Sequence, residues 1–157
     1  MTSLPGKIPR LAGVLLRVVL GLVFVYAAWV KLFGPHWSWP PRLEPWELFA
    51  LAISSYDILP LKAVELVART LPWLELAIGL MLLAGRGLRL SASATALLLL
   101  VFFGLMVRAF SQGKEISCGC FGPGEIISAW TLLRDGSMLA GALLLTWMAF
   151  RRQRQAV

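Results

Sequence analysis

Four long apolar runs, at about residues 11–33, 61–84, 88–110 and 130–150, constrain this chain more than any other feature. Each is close to the roughly 20 residues that a helix needs to cross the hydrocarbon core of a bilayer. The 157 residues are 59% hydrophobic and 15% charged, with a mean hydropathy of +0.77. A water-soluble domain needs a surface that is about a quarter to a third charged, so the chain reads as an integral membrane protein. The expectation is an all-α fold, a single domain over 1–157, built as a four-helix transmembrane bundle in the lipid bilayer. No repeat of solenoid period and no low-complexity segment interrupts it.

The formal charge of +7 raises nucleic acid as a partner, but the basic residues stand at the ends of the apolar runs, which excludes it. Lys7 and Arg10 precede the first run, Arg86 and Arg89 separate the second from the third, and Arg151, Arg152 and Arg154 follow the fourth. By the positive-inside rule these flanks face the cytoplasm, which puts both termini inside and the other two loops outside. In a bacterial inner membrane the outer face is periplasmic. The first run is too long for a signal h-region, is interrupted by Arg17 and lacks a convincing small-x-small site, so it reads as a retained span.

The first outer loop is rich in Trp and Pro, with Trp37, Trp39, Pro40, Pro41, Pro45 and Trp46. Tryptophan at that density suits a membrane interface. Within it, Glu44 to Tyr56 opens on Glu-Pro and sets Trp46, Phe49, Ala50, Ile53 and Tyr56 near one face, which predicts a short interfacial helix.

Charges inside the runs need partners, because an ionisable residue at span depth costs about 2.5 to 3.5 kcal/mol even on the lenient insertion scale. Glu65 and Arg69 are four apart in the favourable order and are expected to pair. Glu75 lies roughly 15 Å from the Gly85 end and Arg17 about 9 Å into the first run, so these two are expected to meet. Such a pair either fixes helix register or handles protons or a quinone. Pro72 is expected to kink the second span. Lys31, Arg69 and Arg108 fall near the outer ends of their runs, where they either form an electropositive roof under the second outer loop or snorkel to headgroups. Arg134 and Asp135 are adjacent, which predicts separate partners for them.

That second outer loop, Ile-Ser-Cys-Gly-Cys-Phe-Gly-Pro-Gly over 116–124, holds both cysteines. Cys118 and Cys120 are separated by one glycine, which lets the sulfurs meet. They can close a small, strained and readily exchanged disulfide, bind a soft metal, or serve as a staple. An oxidising face favours the first. A nearby cation would then lower a thiol pKa. His36, the only histidine, is by default an interfacial polar residue, and neither zinc nor haem spacing is present.

Three blocks carry a family resemblance: Arg17 to Phe24 running on to Ala28, Lys31 and Leu32; Leu71-Pro-Trp-Leu-Glu75 with Gly79, Leu82, Leu83 and Gly85; and Cys118-Gly-Cys-Phe-Gly122. The chain resembles the DoxX-like superfamily of four-helix membrane proteins and, through the third block, its methylamine-utilisation MauE branch. The resemblance implies a redox-associated inner-membrane protein that supports maturation of a periplasmic, disulfide-rich enzyme and works with a thioredoxin-like partner. Cys118 and Cys120 would carry the exchange, with Arg17, Lys31, Glu65, Arg69, Glu75 and Arg108 stabilising charge or lining a cavity. Relatives in the superfamily imply a quinone as an optional cofactor, and membership of a larger redox complex as an accessory or oxidoreductase subunit. The competing expectations are a copper or mercury transporter using the same thiols and a non-catalytic membrane scaffold.

Overall fold

A computed structural model describes residues 8–34, 45–121 and 125–154. The Trp-rich segment with His36, Trp37 and Trp39, the basic Lys7, and the Gly122-Pro123-Gly124 turn lie outside the described residues. The described chain is helical: α1 (Ile8–Phe33), α2 (Pro45–Ser54), α3 (Leu61–Ala84), α4 (Leu88–Ser111) and α5 (Ala129–Arg154). The short helix expected over 44–56 is α2, and it ends earlier, at Ser54, because Asp57 takes a positive φ of 54° two residues beyond Ser55.

Within α1, α3 and α4, the stretches Leu11–Phe33, Leu61–Ala84 and Leu88–Ser111 are long and apolar enough to cross a membrane. Only 33%, 33% and 28% of their most apolar windows are buried inside the molecule, so most of that greasy surface faces outward, as lipid contact requires. On α1 the outward stripe is regular: Leu11, Leu15, Val19, Leu22, Tyr26 and Trp29 recur every three or four residues and are all exposed. α5 is as long as α1, but it carries Arg134 and Asp135 in its second turn and arginines at its end.

α1 packs on α3 and α5, and α4 packs on α3 and α5, while α2 lies against α1 and α3. Lipid is as apolar as leucine, so helices in it gain little from hiding apolar surface and associate through close packing. α1 and α3 show this at Gly21 and Gly79. A Cβ on Gly79 would stand 3.0 Å from both the Gly21 carbonyl oxygen and the Val25 nitrogen, which is backbone-to-backbone contact. α3 runs unbroken through the buried Pro72. The larger core cluster, including Leu20, Phe24, Ile78, Leu82 and Leu145, fills the half nearer the α3–α4 turn, and a smaller one, Met106, Ala109, Cys118 and Ile127, fills the half beneath the cysteines.

Candidate functional site

The cysteine segment is a clamped loop. Ser117 and Ile126 form an antiparallel bridge, the Cys118 N–H donates to the Glu125 carbonyl at 2.9 Å, and the Ile127 N–H donates to that of Ile116 at 3.0 Å. Gly119 sits at φ 70°, and a Cβ there would come within 3.0 Å of the Ala52 Cβ on α2. Glycine is therefore required twice over, for the left-handed backbone and for the close approach to α2. Tyr56, just past α2, donates its hydroxyl to the Cys118 carbonyl at 3.3 Å, and burial raises its pKa. Behind the loop, Ser128 and Thr131 exchange hydrogen bonds between side chain and backbone, a reciprocal cap that starts α5. Lys114 and Asp57 join the two flanking turns at 2.9 Å.

Both cysteines are free thiols. Cys118 is buried, and Cys120 is the more exposed of the two. The Cys120 N–H points at the Cys118 sulfur at 3.4 Å. The hydrogen bond from the Cys120 thiol, helped by that N–H, holds Cys118 below the ordinary thiol range, against burial and the nearby Glu125. The same hydrogen bond, with burial and the Cys118 charge, pushes Cys120 well up. The pair is thus polarised, with the thiolate favoured at Cys118 over Cys120.

From there the network runs on. The Cys118 thiol reaches Glu125 Oε2 at 3.3 Å, and Arg134 forks onto both oxygens of Glu125. Arg134 Nε also meets Asp135 Oδ1 at 3.0 Å. The adjacent Arg134 and Asp135 were expected to find separate partners; they pair because Arg134 is long enough to fold back while still holding Glu125. Arg134 hydrogen-bonds lower the Glu125 pKa, and its guanidinium lies 4.5 Å over the Phe121 ring, which in turn stacks on Tyr26.

One layer deeper is a buried ion pair. Lys31 Nζ binds Glu75 Oε1 at 2.6 Å and Oε2 at 2.8 Å, with the rings of Phe49 and Phe102 4.8 Å and 5.8 Å from the ammonium. Glu75 was expected to meet Arg17, and it does not. Helical side chains lean toward their own N-terminus, so Glu75 on α3 leans toward the cysteine end, while Arg17 on α1 leans the other way. Arg17 lies against Gly85 at the far end, its Nε buried without a hydrogen-bond partner. Glu65 and Arg69 pair at 2.8 Å, as their spacing predicts, on an exposed face where Arg69 also covers Trp46 at 4.3 Å. Arg108 is exposed on α4. Of the three cations expected to roof the loop, Lys31 is the one beside Cys120; Arg69 faces away, and the second cation at the site is Arg134.

A cavity of about 40 Å³ separates the loop from the pair, large enough for a few waters. Lys31, Glu75, Cys120, Met106 and Asp135 all contribute to its wall. Among the described residues, no group of three or more His, Cys, Asp or Glu is placed to hold a metal ion.

A thiol pair in a clamped loop over a lysine–glutamate pair joins the sequence blocks that resemble MauE. The family model described as Methylamine utilisation protein MauE matches residues 9–148, nearly the whole chain. The chain belongs to the MauE family. Comparison with curated proteins and with solved structures returned no match. MauE membership associates the chain with methylamine utilisation and a membrane setting, and the matched stretch includes α1 through most of α5 with the cysteine loop. Sequence reasoning missed Tyr56, Met106, Glu125, Arg134 and Asp135 as neighbours of the thiols. One signal was available: Glu125, Arg134 and Asp135 are charges within fifteen residues of Cys120, on the loop side of the last apolar run.

Proposed function

We propose that this MauE-family protein exchanges Cys118 and Cys120 between dithiol and disulfide with a periplasmic thioredoxin-like partner, supporting disulfide maturation of a periplasmic enzyme. The observation that carries the reading is a pair of free thiols held one glycine apart in a clamped loop, where the hydrogen bond between them favours the thiolate at Cys118 and disfavours it at Cys120. In exchange, the better leaving group is the thiol of lower pKa. A partner thiolate attacks the Cys120 sulfur of the disulfide, the Cys118–Cys120 bond breaks, and Cys118 leaves as thiolate. The partner's second thiolate then attacks the partner sulfur of the mixed disulfide, and Cys120 departs and takes up a proton. Two electrons pass from the partner to the pair, and the same steps reversed return them.

In this reading α5 is a fourth span of a transmembrane bundle, both termini are cytoplasmic and the loop is periplasmic in a bacterial inner membrane. The charge bias supports that orientation. The pairing of Arg134 with Asp135 and Glu125 lessens the cost of the charges in the second turn of α5 and supports its reading as a span. DoxX-like ancestry is consistent with the helix order. A quinone headgroup would require the helices around the cavity to part, so the electron path proposed here runs through thiols.

The test is differential alkylation in intact cells, before and after mild reductant. Both cysteines should be protected as a disulfide in part of the population and become reactive on reduction. A pair that is fully reduced under every growth condition would end the proposal.

A further inference from the structure

Beside the two cysteines stands a third sulfur. Met106, on α4 and fully buried, places its Sδ 4.0 Å from the Cys120 Sγ, and both residues line the same cavity. The Cys118 sulfur is the next neighbour, in hydrogen-bond reach of the Cys120 thiol and N–H. We propose that Cys118, Cys120 and Met106 of the reduced protein form a three-sulfur site for monovalent copper.

Thiolate and thioether are soft donors, the class that selects Cu(I). For sulfurs each about 2.3 Å from a central ion, the edge of a trigonal plane is roughly 4 Å, close to the separation seen between Cys120 and Met106. Methionine in a core usually only fills space. Here its sulfur lies against a thiol at the wall of a cavity, which space-filling does not require. A hard or borderline ion finds no matching set, since no group of three or more His, Cys, Asp or Glu is assembled among the described residues.

This site needs only the dithiol state and not the exchange reaction, so either proposal can fail alone. A bound ion and a disulfide exclude each other, and copper should block exchange wherever exchange occurs.

The experiment uses purified full-length protein in detergent, reduced and anaerobic, titrated with Cu(I) against a coloured copper chelator. One ion per chain should bind, and the Cys118→Ser/Cys120→Ser protein should bind none in competition. X-ray absorption at the copper edge of the wild-type complex should show three sulfur neighbours. Met106→Leu, close in volume, should keep its melting temperature, show two sulfurs and lose at least about tenfold in affinity, the scale on which even outer partners of a metal matter. Wild-type binding no tighter than the double-serine protein overturns the site. Two sulfurs in the wild-type complex, or unchanged affinity in Met106→Leu, removes the thioether and with it the three-sulfur proposal.

Discussion

At the end of the molecule that turns through Gly85 to Arg89, the helices meet through Leu20, Ile78, Leu82 and Leu145, and Arg17 has its Nε buried without a hydrogen-bond partner. At the cysteine end the interior holds Lys31, Glu75 and Asp135, all about 5% exposed, and the described charges there are tied into pairs. Apolar packing in lipid gains little from burial and much from fit. Buried ion pairs cost desolvation and hold one geometry. The first end therefore anchors the helices, while the second fixes the positions of particular atoms around a pair of thiols.

The largest effect should come from splitting the deep pair. Lys31→Met or Glu75→Leu alone should destabilise the protein by about 3–5 kcal/mol in detergent unfolding, because the remaining charge is buried without a partner. The double substitution should recover most of that loss. If it does not, the pair is held for something other than its mutual charge. Next in size is the helix contact shared by both ends. Gly79→Ala forces α1 and α3 apart against backbone atoms and should cost about 1–3 kcal/mol in the same assay. Arg17→Met should change stability by less than about 1 kcal/mol, since no ion pair is lost; a cost like that of Lys31 would erase the contrast between the ends. The smallest change is local. Glu125 raises the Cys118 pKa, so Glu125→Gln removes a negative neighbour, favours the thiolate and should move the alkylation of Cys118 to lower pH. A shift to higher pH would mean that Arg134, once freed, turns away from the thiols.

The helices were legible because apolar runs of span length leave few alternatives, and the Glu65–Arg69 pair was legible because both residues lie on one helix. The partner of Glu75 was not. Depth along a span can be counted from sequence, but the lean of a side chain toward its own N-terminus decides which of two distant cations it reaches, and Lys31 won over Arg17 on that ground. The cysteine motif announced itself, whereas its surroundings did not, because Tyr56, Met106 and Arg134 come from three separate elements that only packing brings together. Arg69 and Arg108 stand near the right depth on the wrong faces.

Mixed-disulfide trapping probes the thiol account most directly. Cys118→Ser leaves Cys120 without its resolving thiolate, and cells carrying it should accumulate a covalent complex through Cys120 that reductant releases, with Cys120→Ser yielding much less. Equal trapping by both variants would contradict the assigned roles, and no trapping by either would contradict disulfide exchange itself.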